Sequence, residues 1–136
     1  ALATFLGKEI VVAAYGEGDV ERLLGDAAIV RHRGKIEATI DNARRMVELE
    51  EAGTSLASLV WSHEPDPAEA HPPQSLTTSL ASKALSADLK RRGWRFVGPT
   101  TMFAFMQSMG LINDHHPGCA IRPLVAQARD AFPRPR

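Results

Sequence analysis

The stretch LKRRGWRFVGPTTMFAFMQSMG, residues 89–110, decides the fold. It reads as the end of one helix, a tight turn and the whole of a second helix. Just upstream, SLASKALSADLKRR sets Leu85 and Leu89 on one side at helical spacing, and Gly93 supplies the stop. Gly98 and Pro99 then open the second helix, because proline is tolerated at the first helical position, where its missing N–H loses no bond. Gly110 ends that helix. Its apolar run Met102, Phe103, Phe105, Met106 and Met109 is predicted core, since so many large side chains cannot stay wet.

The pattern outward from this hairpin is also helical. Asp19 is read as the N-cap of DVERLLGDAA, in which Val20, Leu23, Leu24 and Ala27 recur at helical spacing. In RHRGKIEATIDNARRMVELEEAG, Ile36, Ile40, Ala43 and Val47 share one face, which predicts a helix from about 33 to 51 closed by Gly53. Thr54 can cap a further short helix through Leu56, Leu59, Val60 and Trp61. Residues 62–78 hold four prolines and few large apolar groups, and read as an extended surface loop. Beyond Cys119 a short helical piece is expected, followed by a loosely held tail. No strand-like alternation of useful length appears, so the expected architecture is all-α, a bundle of antiparallel helices with one long loop.

A chain of 136 residues is expected to form one domain, or most of one, able to bury a working core. Sixteen basic residues balance sixteen acidic ones, so only the local distribution of charge bears on a polyanionic partner. The single Cys excludes an intramolecular disulfide framework and fits a reducing compartment, with cytoplasm as the expected location. No apolar stretch approaches the roughly 18 residues of a membrane span, and ALATFLGKEI lacks the basic start and long apolar run of a signal peptide. No membrane partner and a monomeric state are expected.

Candidate binding residues cluster around the hairpin. A helix N-terminus carries open backbone N–H groups and partial positive charge, so a phosphate would sit well before Pro99, with donors from Gly98, Thr100, Thr101 and Arg95. The same residues also suit an ordinary αα-hairpin whose glycines serve only the turn. Arg33 and Lys35, within the basic cluster Arg31-His32-Arg33-Gly34-Lys35, are read either as further phosphate contacts or as a solvated helix start. Trp61, Trp94 and Tyr15 are expected to pack rather than to stack on bases. His115 and Cys119 stand at a spacing common in zinc sites, although His116 is an equal candidate and a structural zinc needs four ligands. Spacing selects no catalytic pair from Asp41 or Asp114, and no Ser-His-Asp or P-loop pattern is present.

Taken together, DVERLL, IVRHRGKIEATIDNAR and RGWRFVGPTTMFAFMQSMGLINDHHPGC resemble the 3-methyladenine DNA glycosylase I family of the helix-hairpin-helix superfamily, from about residue 10 to residue 120. Residues 1–9 match it poorly. The resemblance implies a helix-hairpin-helix glycosylase-like bundle over residues 1–120, with the hairpin at about 83–109 and residues 121–136 as a C-terminal tail. It implies excision of 3-methyladenine from alkylated double-stranded DNA by base flipping, with Gly98 and the amides after it gripping a phosphate. Many superfamily members carry a second glycine two residues before Gly98, and that place holds Phe96. Many also use an aspartate near the position of Asp114 as acid/base, but this family does not rely on it, and no catalytic residue is assigned here. The family's pocket glutamate and aromatics lie in an N-terminal segment upstream of the position matching Ala1. Its structural zinc is held by an N-terminal Cys and His together with the residues matching His115 and Cys119, so half of that ligand set is expected in this chain. A non-catalytic helix-hairpin-helix DNA-binding domain is the alternative, and a helical interaction domain without a nucleic-acid role is a third reading.

Overall fold

The computed structural model describes residues 8–69 and 71–135, and every element among them is helical. In order these are α1 (Glu9–Ala13), α2 (Glu17–Leu24), α3 (Arg33–Glu51), α4 (Leu56–Trp61), α5 (Leu80–Arg91), α6 (Pro99–Ser108) and α7 (Ile121–Ala131), with one 3-10 turn at Pro67–Glu69. Most of residues 1–9 lies outside the described residues; Glu9 opens α1. The chain divides into two compact units. The first takes the described residues up to Leu56 together with Leu89–Phe96, and the second takes Ala57–Asp88 and Val97 onward.

In the first unit, Ile36 and Ile40 of α3 bury one turn apart with Val20 of α2, and Val12, Tyr15, Leu23 and Leu24 pack against them. Each buried aliphatic side chain of this kind contributes roughly 1.5–3 kcal/mol. Arg44 ties the end of α1 to α3 by donating to the carbonyls of Ala13 at 3.0 Å and Tyr15 at 2.9 Å. Asp19 is not the N-cap of α2. The helix starts two residues earlier after Gly16, and Asp19 sits in its first turn with its carboxylate accepting the Gly16 N–H at 3.2 Å. That hydrogen bond, with Arg22 at 3.1 Å, lowers the Asp19 pKa.

In the second unit the buried apolar side chains are Leu59 and Val60 of α4, Ala81 and Leu85 of α5, Val97 ahead of α6, Met102, Phe103 and Met106 of α6, and Leu111 and Ile112 beyond it. Ser79 and Ser82 start α5 by exchanging backbone N–H bonds for each other's hydroxyls at 2.8 and 3.0 Å, as in a capping box. Both hairpin helices stop in the same way. After α5 the Trp94 N–H reaches back to the Leu89 carbonyl at 3.0 Å with Gly93 at φ +85°, and after α6 the Leu111 N–H reaches Met106 at 2.9 Å with Gly110 at φ +80°. Only glycine enters this left-handed region without a Cβ clash, which is why the two stops were legible.

The C-terminal residues differ from expectation. Residues 121–131 form an eleven-residue helix, not a short piece, and the chain after it is held. Phe132 stacks on Trp61 with ring centroids 4.9 Å apart, the Arg134 guanidinium lies 5.2 Å from the centre of the Trp61 ring, and Arg129 and Arg134 both bind Glu64, at 3.0 and 2.9 Å. Proline and arginine there suggested a loose end; the partners that order it lie some 70 positions earlier and leave no local trace.

Candidate nucleic-acid interface

The turn Leu89–Phe96 is braced by α3 of its own unit. Asn42 holds both main-chain polar groups of one residue: its Nδ2 donates to the Arg95 carbonyl at 2.9 Å, and its Oδ1 accepts the Arg95 N–H at 2.9 Å. Asp41, one position earlier, holds the Arg95 guanidinium at 2.8 Å. A Cβ added at Gly93 would lie 3.5 Å from Arg45, so that flank of the turn is filled. Phe96 keeps the left-handed conformation at φ +56°, although it is not glycine. An aromatic residue there carries a steric cost of roughly 1–2 kcal/mol.

In the second unit, α6 begins at Gly98, whose φ of −63° and ψ of 160° are open to any residue. A Cβ at Gly98 would meet nothing within 4 Å. Neither the backbone nor the packing demands glycine at this position; what its absent side chain leaves is open access to the helix end. No side chain caps α6. The first-turn amides of Thr100 and Thr101 therefore remain available at the positive end of the helix dipole. The hydroxyls of both threonines are exposed and have no partner among the described residues.

The basic cluster before α3 separates into three roles. His32 caps the helix, its Nδ1 accepting the Lys35 N–H at 3.2 Å. Arg33 meets Glu17 at 2.7 Å, Glu21, and Glu37 at 3.5 Å, and its pKa is raised first by Glu17 and then by Glu21. A guanidinium shared among three carboxylates is a poor phosphate donor, so the structure gives Arg33 the task of joining α2 to α3. Lys35 is exposed, and its ammonium makes no ion pair among the described residues. Arg95 stands between these cases, exposed but resting on Asp41. Tyr15, Trp61 and Trp94 all pack: Tyr15 joins the Val20 cluster, Trp61 stacks on Phe132, and the Trp94 indole nitrogen is buried.

After α6 the second unit brings His115 and Cys119 together, with Nδ1 and Sγ 3.7 Å apart. Two ligands of one tetrahedral zinc, at bond lengths of about 2.0 and 2.3 Å, stand roughly 3.6 Å apart. The pair fits one edge of such a site. No group of three or more His, Cys, Asp or Glu suited to a metal occurs among the described residues. Arg122 supports this segment by donating to the carbonyls of His115 and, at 3.3 Å, Asn113. His116 does not share the site; its Nδ1 accepts the Gly118 N–H at 3.3 Å.

Asp114 is largely buried and fully engaged. It accepts the Gln107 Nε2 donor at 2.8 Å and the Gln74 N–H at 2.9 Å, with His71 Nε2 3.5 Å away. The role is structural, joining the long loop to the end of α6. A cavity of about 750 Å³ in this unit is lined by Glu64, Asp66, His71, Asn113, Asp114 and Arg122 among others, and no Trp, Tyr or Phe belongs to its lining. The described residues thus supply charge, hydrogen bonds and the His71 imidazole there, but none of the larger aromatic rings.

The family model described as methyladenine glycosylase matches residues 3–122. The chain belongs to the methyladenine glycosylase family. The match begins well inside the N-terminal residues expected to depart from it. Among relatives, DNA-3-methyladenine glycosylase 1 of Escherichia coli (strain K12) is 48% identical over 118 residues, covering 84% of this chain and 63% of that protein. The DNA-3-methyladenine glycosylase of Haemophilus influenzae is 39% identical over 105 residues, covering 74% of this chain and 57% of that protein. A crystal structure of 3-methyladenine DNA glycosylase I superposes with a TM-score of 0.75 at 43% identity, covering 87% of this chain and 68% of the other. One from Staphylococcus aureus, solved for recognition of 3-methyladenine, gives 0.74 at 30%, covering 85% and 64%. The chain spans about three fifths of the length of these curated relatives.

Sequence reasoning found the hairpin, its glycines and the His115–Cys119 pair. It missed Asn42, whose two hydrogen bonds cross 53 positions of sequence. The only signal for it was a polar residue in the inward-facing half of α3, between Ile40 and Ala43.

Proposed function

We propose that this chain provides the DNA-gripping part of a DNA-3-methyladenine glycosylase, which hydrolyses the N-glycosidic bond of 3-methyladenine in alkylated duplex DNA after flipping the nucleotide from the stack. The observation that carries the reading is the uncapped start of α6 behind an unobstructed Gly98, in a family whose relatives bear that enzyme's name. A phosphate oxygen accepts from the Thr100 and Thr101 amides and hydroxyls of the second unit. In the first unit Lys35 offers DNA a cation of its own, Arg95 could do so only by leaving Asp41, and Arg33 contributes least.

In the hydrolysis the oxygen of water bonds to the anomeric carbon as the carbon–nitrogen bond breaks. The bonding pair goes to the base and cancels its positive charge, while the water proton passes to solvent. A cationic base needs little help in leaving. The hydrogen bonds that occupy Asp114 support a reaction that does not use it as acid or base. His115 and Cys119 would hold a structural zinc together with the family's upstream Cys and His, and the ion would fasten the chain rather than react. The free thiol of Cys119 supports a reducing, cytoplasmic setting. A monomer is proposed, and no helix among the described residues is long and apolar enough to cross a membrane.

Release of 3-methyladenine from methylated duplex DNA by the full-length protein tests the proposal. Salt-dependent duplex binding without release would favour the non-catalytic binder. Binding indifferent to salt, or none, would leave a helical interaction domain.

A further inference from the structure

We propose that Phe96 is a nucleic-acid contact, its ring packing against the deoxyribose face of the strand whose phosphate the hairpin holds. This rests on the glycosylase reading above. Two unfavourable features meet at this residue. Its backbone occupies the left-handed region at φ +56°, which a bulky side chain rarely adopts and glycine adopts freely. Its side chain is nonetheless 56% exposed, so little apolar burial offsets that strain. A single exposed hydrophobic residue on a surface is ordinary. An exposed aromatic that also holds a strained backbone is not, and local rules broken together mark functional positions.

The ring is also pre-oriented. The residue before it, Arg95, is held by Asn42 at both its N–H and its carbonyl, each at 2.9 Å, so the backbone that carries the ring is set before any ligand arrives. Phe96 takes part in no ring stack and no cation–π contact among the described residues. A phenyl ring offers no hydrogen bond and therefore does not read base edges. It suits the C–H surface of a sugar beside a phosphate, a contact indifferent to sequence and to salt.

Binding of the full-length protein to a fluorescent duplex carrying an abasic-site analogue, measured over a range of salt, tests the inference. Phe96→Gly relaxes the turn, so its thermal midpoint should equal or exceed that of the parent. Its duplex affinity should nevertheless fall about tenfold, within the range for losing one aromatic contact to a nucleotide. The slope of log affinity against log salt should not change, whereas Lys35→Ala should make it shallower by about 0.9. Phe96→Tyr keeps the ring and should bind as the parent does. Parent-like affinity of Phe96→Gly, a lowered midpoint, or an altered salt slope would each overturn the contact. Parent protein that does not bind the duplex at all would bring down the glycosylase reading and this inference together, an outcome distinct from failure of Phe96→Gly alone.

Discussion

Two segments of irregular backbone are held in chemically different ways. The turn after α5 is fixed by a neutral amide, Asn42, whose two hydrogen bonds grip the N–H and the carbonyl of Arg95. The chain after α7 is fixed by charge, with Arg129 and Arg134 converging on Glu64 and a stacked Trp61–Phe132 pair alongside. A neutral clamp keeps its strength across pH and salt, which would suit the phosphate grip proposed for this hairpin. A charged clamp suits a segment that only needs to stay docked. The turn has both of its supports within the first unit, while in the second unit His115 and Cys119 stand together without a third His, Cys, Asp or Glu among the described residues to complete a metal site.

Removing the neutral clamp should have the largest effect. Asn42→Ala leaves the Arg95 N–H and carbonyl without their partner and should cost about 1–3 kcal/mol of stability, read from the denaturant midpoint. Duplex affinity should fall with it, because Phe96 and the following amides lose their fixed placement. A variant as stable as the parent would mean the two hydrogen bonds are not what holds the turn.

Gly98→Val separates grip from fold. The backbone angles at Gly98 are ordinary and the space around an added Cβ is open, so folding should suffer by less than about 1 kcal/mol. A branched side chain over the Thr100 and Thr101 amides should weaken duplex binding about tenfold. Equal binding by the folded variant would move the phosphate away from α6.

What was readable in advance follows from the range of the interactions. Pro99 opening α6, with Gly93 and Gly110 closing the hairpin helices, obey rules that act within one helical turn, and all three positions are legible in the sequence. The Ile36–Ile40 face was equally local. Asp19 has the chemistry of an N-cap, but its carboxylate serves Gly16 from the third position of α2. Arg33 looked like a free cation until Glu17 and Glu21, more than ten positions away, came to meet it. The clamp of Asn42 on Arg95 and the docking of Arg134 on Glu64 join residues 53 and 70 positions apart, and no periodicity or spacing encodes them.

The half-set of ligands predicts a further contrast. The 136-residue chain should bind zinc weakly and leave Cys119 open to a thiol reagent, because two protein ligands supply only part of the coordination that structural zinc requires. Cys119→Ser should then leave the duplex affinity of the hairpin unchanged, as Asn42 and Gly98 do not depend on it. Tight stoichiometric zinc in the 136-residue chain would mean that a different ligand set operates.

The smallest effect distinguishes the two clamps by acid. The hydrogen bond from Arg134, aided by the charges of Arg134 and Arg129, lowers the Glu64 pKa against a partial opposing effect of burial. A carboxylate whose pKa is depressed in the folded state stabilises that state fully above its unfolded value, about 4.3. That contribution disappears as pH falls from there through the lowered folded value. Backbone hydrogen exchange across α7, corrected for the intrinsic rate, should therefore show protection declining in that acid window. Glu64→Gln should give the loosened α7 already at pH 7 and remove the decline. The Asn42 clamp contains no titrating atom, so Leu89–Phe96 should keep its protection while α7 loses its own. Parallel loss in both segments would mean that acid unfolds the protein as a whole and that the docking of α7 does not depend on Glu64.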